Sequence, residues 1–170
     1  MLFGEKTCLG PMLPTDAPII FKWRNSLEVM HLDGLYRPIS QAIFDEWFHT
    51  IGRDSSRVVF SIRKKDGLDF LGYVQIVDIH PVYRSAEVGI MIGELANRGK
   101  GYGQDALRLC VQFCWNELNL QRLSLKIIGE NKHAIHTYEK AGFVHEGVLR
   151  RSIYVNGAFT DTTLMALLRT

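Results

Sequence analysis

The chain has 170 residues, 46% hydrophobic and 22% charged, and its 20 Lys and Arg against 18 Asp and Glu give a net charge of +2. A chain of this make-up buries roughly 70% of its unfolded surface, which argues against disorder, a collagen-like repeat or a disulfide-dense miniprotein. The near-balance of charge argues against a dedicated nucleic-acid binder, which carries a strong basic excess.

No repeat or Gly/Ser linker divides the sequence, so one domain is expected over 1–170. Cys8, Cys110 and Cys114 cannot all pair within one chain and lack zinc-ligand spacing, so thiols in a reducing compartment are expected. The first residues lack a basic segment followed by an apolar run, and no apolar stretch approaches the ~18 residues of a membrane helix. The expected setting is therefore cytoplasmic, without membrane association.

In chain order, the pattern predicts a strand over 8–12 and a helix over 17–25 behind an N-cap in Pro14-Thr15-Asp16. An irregular loop is expected over 31–39, where Gly34 and Pro38 interrupt any period. Ser40 caps a second predicted helix over 41–51, with Ile43, Phe44, Trp47 and Phe48 on its apolar side. The period then changes. Strands over 57–63 and 71–78 flank the hairpin signal Lys64-Lys65-Asp66-Gly67. A third strand over 84–92 puts Ala86, Val88, Ile90 and Ile92 on one face, and Ser85, Glu87, Gly89 and Met91 on the other.

A long helix over 101–118 lines Ala106, Leu107, Cys110, Val111, Cys114 and Leu118 along one stripe, with Asp105, Arg108, Gln112 and Asn116 largely off it. A strand over 122–128, a helix over 132–141 ending at Gly142, a strand over 143–154, a tight turn at Asn156-Gly157 and a strand over 159–168 complete the chain. The order β-α-α-β-β-β-α-β-α-β-β predicts an α/β (α+β) fold. Its sheet is expected to be mixed and mostly antiparallel, with about seven strands and helices on both faces.

The most informative stretch runs from Glu94 to Leu107. A strand ends, Gly99, Gly101 and Gly103 open the backbone, and an amphipathic helix begins. The first turn of a helix offers free N–H groups and a positive dipole end, which suits a phosphate or pyrophosphate, and Arg98 and Lys100 add charge. A glycine-rich turn with two solvated cations is the alternative, but three glycines at alternate positions exceed what a turn requires. Two familiar phosphate loops fit badly. A Walker loop needs Gly-Lys-Ser/Thr where Gly101-Tyr102 stands. The dinucleotide fingerprint belongs after the first strand of a βαβ unit, and three strands precede this loop.

Arg98-Gly99-Lys100-Gly101-Tyr102-Gly103 resembles Arg/Gln-x-x-Gly-x-Gly/Ala, the acetyl-CoA pyrophosphate loop of the GNAT N-acetyltransferases. The run from Asn131 to Phe143 resembles the second cofactor segment of that superfamily, Asn-x-x-Ala/Ser-x-x-x-Tyr-x-x-x-Gly-Phe. The Glu146-Gly147-x-x-Arg150 run, the Tyr154-Val155-Asn156-Gly157 hairpin and Trp23-Arg24-Asn25 look like one branch. That branch holds ribosomal-protein N-terminal, spermidine and some nucleotide-aminosugar acetyltransferases. The resemblance implies a GNAT-like domain that transfers acetyl from acetyl-CoA to a primary amine by direct attack in a ternary complex.

The resemblance implies a set of roles. Glu87, on the strand before the loop, is the candidate general base; a polar residue on an exposed strand face is the alternative. Tyr138 is the candidate acid that returns a proton to the departing thiolate, and the same ring would otherwise serve the core. Cofactor contacts fall to Arg98, Gly99, Lys100, Gly101, Tyr102, Gly103, Asn131, His133 and Tyr138, with backbone N–H groups near Ile90, Met91 and Ile92 where such sheets splay. The acceptor side draws on Trp23, Arg24, Glu28, Asp33, Tyr36, Glu87 and Tyr154. Glu28, Asp33, Asp45 and Glu46 suit a polyamine, Arg24 and Arg37 a nucleotide-sugar phosphate, and an N-terminal peptide stays open. No metal set is expected, because His133 and His136 lack a third ligand. The favoured acceptor is a small-molecule amine, polyamine or amino sugar, with a protein α-amino group and a non-catalytic acyl-CoA-binding module as alternatives. Dimers are frequent among similar proteins, which makes a homodimer a candidate assembly.

Overall fold

A computed structural model describes residues 1–30, 36–129 and 131–170. One eight-stranded sheet runs through them in the order β1-β2-β3-β4-β5-β6-β8-β7. Its strands are β1 (Leu2–Phe3), β2 (Thr7–Gly10), β3 (Val58–Lys64), β4 (Phe70–His80), β5 (Ser85–Ile92), β6 (Arg122–Ile128), β7 (Val144–Val155) and β8 (Ala158–Leu168). Neighbours are antiparallel except β5 and β6, which are parallel. The helices are α1 (Ala17–Arg24), α2 (Leu27–Met30), α3 (Gln41–Thr50), α4 (Tyr102–Asn116) and α5 (Lys132–Lys140).

Turn and cap chemistry explains several boundaries. Asn156 and Gly157 both take positive φ (52° and 79°), as a two-residue hairpin between right-twisted strands requires. Gly142, at φ +93°, ends α5, and the Phe143 amide donates back to the Tyr138 carbonyl at 3.1 Å. Ser40 caps α3 by accepting from the Ile43 amide, as predicted.

Two apolar clusters sandwich the sheet. Ala86 and Val88 of β5, Leu123, Leu125 and Ile127 of β6, and Ala106, Leu107 and Cys110 of α4 belong to one, with Tyr138 and Phe143. Ile20 and Trp23 of α1, Phe44 of α3, Tyr73 of β4 and Met91 of β5 form the other. The predicted alternation along β5 is therefore real, with even positions facing α4 and Met91 facing α1 and α3. The three cysteines are free and buried.

Several expectations change. The sheet has eight strands, because a short β1–β2 hairpin forms and β2 stops at Gly10, before Pro11, which has no amide to donate. Asp16 makes no cap hydrogen bond to α1; it accepts from the Leu13 amide at 2.8 Å and from Arg63. Ile43 points outward, 60% exposed, so the apolar side of α3 is narrower than its spacing implied. The four-residue α2 carried no pattern long enough to detect. Asp105, placed off the core stripe, is buried. Of the predicted loop, residues 31–35 lie outside the described residues, and 36–39 form no regular element.

Candidate active site

Strands β5 and β6 pair only at Ser85–Arg122, Ala86–Leu123 and Glu87–Ser124. Beyond Glu87 and Ser124 both strands continue, to Ile92 and Ile128, without pairing to each other. The gap between them is the expected splay. It opens a cleft of about 780 Å³ walled by Ile90, Met91 and Ile92 on one side and Lys126, Ile127 and Ile128 on the other.

The β4 register decides which groups face this cleft. Gly93 N–H donates to the Leu71 carbonyl at 3.1 Å, and Tyr73 lies opposite Met91. In an antiparallel ladder that phase turns the Met91 amide toward β4 and the amides of Ile90 and Ile92 toward the cleft. Of the three predicted backbone donors, Ile90 and Ile92 turn their amides to the cleft and Met91 does not. Met91 contributes a side chain to the α1–α3 face instead.

The first part of the loop beyond β5, residues 94–98, is set by its own hydrogen bonds. A 3₁₀ turn at Leu95–Asn97 uses the amides of Asn97 and Arg98, which donate to Glu94 and Leu95 carbonyls at 3.0 Å. Those two amides are therefore engaged within the protein and closed to an anion. Residues 99–104 are different: among the described residues no protein acceptor meets their amides, and the α4 ladder begins with Asp105 donating to Gly101. Gly99 and Gly101 sit at φ +73° and +84°, conformations that favour glycine. Gly103 does not share that need; a Cβ there would sit 3.7 Å from Ile92, in ordinary contact.

The two predicted cations differ in their surroundings. Arg98 donates from Nε to the Ile92 carbonyl at 2.9 Å and from Nη2 to the Gly93 carbonyl at 3.2 Å, pinning the loop to the end of β5. It still lines the cleft. Lys100 is exposed and outside the lining; its carbonyl accepts from Lys6 Nζ at 3.0 Å. Tyr102, the first residue of α4, packs against the core and does not line the cleft.

Helix α5 forms the opposite lip. Asn131 caps it by accepting from the Ala134 amide at 3.1 Å and lines the cleft. His133 and Tyr138 line it too, and Tyr138, 8% exposed, meets Phe143 edge-on with ring centres 5.6 Å apart. Sequence reading missed Gln104 of α4 and His136, Thr137 and Lys140 of α5 as lining residues. Helical spacing from His133 would have found the last three, which recur on its face at intervals of three and four. The described lining residues include no carboxylate; Lys126 is paired with Glu87 just outside the lining, and Arg98 and Lys140 carry the charge that suits a polyanion.

Glu87 occupies the last paired position, at the narrow end of the splay rather than in the lining. Its Oε2 accepts from Lys126 Nζ at 2.7 Å. The other acceptor-side residues are not gathered at the cleft. Trp23 is buried, stacked on Phe70, and donates to Glu94 at 3.0 Å; its ring fills the space where a Cβ on Gly93 would collide. Arg24 lies over the Trp47 ring, 5.2 Å from its centre. The Tyr36 hydroxyl donates to the Asn25 carbonyl at 3.3 Å, and Glu28 is exposed on α2. Tyr154 is exposed on the β7–β8 hairpin against Phe159. Asp33 lies outside the described residues. Among the described residues, Val29, next to Glu28, reaches the cleft from this side. No helix among the described residues is long and apolar enough to cross a membrane.

The chain is 33% identical over 101 residues to a spermidine N(1)-acetyltransferase of Vibrio cholerae, covering 59% of this chain and 58% of that one. It is 36% identical over 96 residues to the spermidine N(1)-acetyltransferase of Escherichia coli K12, covering 56% and 51%. The chain thus spans just over half the length of these curated relatives. A crystal structure of spermidine N-acetyltransferase from Vibrio cholerae in complex with CoA and spermine superposes with a TM-score of 0.85, at 27% identity and 95% coverage of both chains. The family model for the acetyltransferase (GNAT) domain matches residues 6–144, and the chain belongs to that family.

Proposed function

We propose that the chain is an acetyl-CoA-dependent N-acetyltransferase whose acceptor is a small-molecule amine, a polyamine in first place. The observation that carries this reading is the run of unaccepted amides at 99–104, opening onto the unpaired edge of β5 in a cleft without a described carboxylate in its lining. That arrangement suits a diphosphate followed by an extended amide-bearing arm, which is the chemistry of coenzyme A. Polyamine is preferred because the relatives just described are named for spermidine.

Acetyl-CoA held there supplies an activated thioester carbonyl to an incoming amine. The residues of the chain supply the rest. The loop amides and the N-terminal end of α4 bind phosphate. Ile90 and Ile92 offer N–H donors where negative charge develops on a carbonyl oxygen. An alkylamine has a pKa near 10.4, so only about one molecule in two thousand is neutral at pH 7. Glu87 takes that proton at its carboxylate, directly or through water, and the Lys126 ammonium holds the carboxylate in place. Tyr138 returns a proton to the thiolate from its hydroxyl. Three buried, unpaired thiols are in keeping with a reducing, cytoplasmic setting.

The test is acceptor-dependent thiol release from acetyl-CoA with spermidine, an amino sugar and an N-terminal peptide offered separately. Fastest turnover is expected with spermidine. CoA binding without release on any amine would leave a binding module, and protection against heat by ATP or NAD rather than CoA would remove the reading.

A further inference from the structure

Asp105 lies in α4, one turn inside the loop that carries the unaccepted amides, and is 8% exposed. A carboxylate so close to the end of an anion-binding helix competes with the anion for the same N–H groups. Here it is turned away and fully engaged elsewhere. Its oxygens accept from the amides of Glu5 at 3.2 Å, Lys6 at 3.0 Å and Thr7 at 2.9 Å, from the Thr7 hydroxyl at 2.8 Å, and from Arg108 at 2.9 Å.

Four of these donors come from the turn between β1 and β2, about a hundred residues away in sequence. The turn is closed by Gly4 N–H donating to the Thr7 carbonyl at 2.8 Å, and any side chain at position 4 would collide with the Asp105 carboxylate. From the same turn, Lys6 reaches back to the loop. Its ammonium donates to the Lys100 carbonyl at 3.0 Å and lies 3.1 Å from where a Cβ on Gly101 would stand. The loop is thus held on both sides by one short segment, at Lys100 and at Asp105.

We propose that Asp105 is a positioning residue for the phosphate-binding loop, acting through the N-terminal segment Glu5-Lys6-Thr7, so that this segment is part of the cofactor site. The proposal rests on the acetyl-CoA reading. Two glycines in left-handed conformations and amides without acceptors make a loop that does not hold its shape unaided. The strap supplies the missing constraint while consuming none of the amides that bind phosphate. Removing the carboxylate leaves three amides and a hydroxyl in search of an acceptor, and it frees α4 from β2.

The experiment compares the parent chain with Asp105→Asn, Thr7→Val, Thr7→Ser and Lys6→Met, measuring CoA binding by calorimetry, steady-state constants and amide hydrogen exchange. Asp105→Asn is expected to raise the KM for acetyl-CoA about tenfold, with kcat and the amine KM within about twofold. Thr7→Val follows in the same direction, and Thr7→Ser, which keeps the donor, stays at the parent value. Exchange at 99–104 accelerates in Thr7→Val. Lys6→Met, a change at an exposed position, weakens CoA binding without altering unfolding, so the strap is tested even if Asp105→Asn does not fold. Variants that lower stability yet bind CoA like the parent overturn the strap alone. Absence of CoA binding by the parent overturns the acetyl-CoA reading and the strap with it.

Discussion

The Lys126 ammonium sits 2.7 Å from Oε2 of Glu87, joining β5 and β6 at the last position where they pair. The two side chains stand at the narrow end of the cleft, on the sheet face turned toward α1 and α3. The neighbouring strand holds the orientation of that carboxylate, which under the proposed function takes the proton of the amine.

Glu87→Gln keeps the shape and the hydrogen-bond reach but removes the proton acceptor. A positioned base contributes about 10²–10⁴-fold, so kcat/KM at neutral pH should fall by about a hundredfold or more. The deficit should shrink as pH rises, because the amine then loses its proton unaided. A loss of equal size at every pH would make Glu87 a positioning group for the substrate cation.

Tyr138→Phe deletes one oxygen from a ring already packed on Phe143. The fold should survive and the affinity for CoA should not change. A thiol of pKa about 8.5 is a fair leaving group, so the expected loss in kcat is modest, about tenfold. Equal turnover in the two proteins would assign the tyrosine to packing.

The glycines of the loop separate two kinds of requirement. Gly101 lies at φ +84° against Lys6, whereas a Cβ on Gly103 would meet Ile92 at 3.7 Å in ordinary contact. Gly101→Val should weaken CoA binding about tenfold or more, since a branched residue is strained there and stands where phosphate approaches. Gly103→Ala should bind CoA like the parent. Equal effects in calorimetric titrations would mean that the loop does not hold the phosphates.

Much of this site was legible because periodicity and glycine spacing are local properties. The alternation along 84–92 set the two faces of β5, and the glycine-rich turn into a long helix marked the loop. The splay itself depends on where two strands far apart in sequence stop pairing, which no window of residues contains. The roles of Arg98, Trp23 and Asp105 are also tertiary. Arg98 reads as a cation until the carbonyls of Ile92 and Gly93 stand in front of it. Asp105 reads as a surface carboxylate until the turn at Glu5, Lys6 and Thr7 supplies its donors. Acceptor residues were the least legible, because side chains on loops and short helices carry no pattern that says which way they face.

Burial pushes the Asp105 carboxyl up, but hydrogen bonds from the Lys6 amide, Arg108, and the hydroxyl and amide of Thr7 outweigh it and hold the group well below the usual carboxylate range. A depressed native pKa stabilises the fold fully above the unfolded value, about 3.9, and that contribution is lost as pH falls through the native value. Acid unfolding should therefore steepen below about pH 4, and Asp105→Asn should flatten that limb. Superimposable urea midpoints for the two proteins between pH 5 and about pH 2 would show that the hydrogen bonds do not favour the ionised form.

The other buried carboxylate makes a sharper case. Asp16 and Arg63 pair through Nη2 at 2.6 and 2.8 Å, with side chains 2% and 10% exposed, and Arg63 lies over the Phe70 ring. Phe70 in turn stacks on Trp23, which packs against the end of β5. Removing one partner strands a buried charge, so Arg63→Leu should cost about 3–5 kcal/mol by urea unfolding. Replacing both partners, with Asp16→Asn added, should recover much of that loss, because the uncompensated carboxylate is gone. If the double variant is as unstable as the sum of the singles, the pair is not coupled, and the stability lies in Arg63 packing on the Phe70 ring.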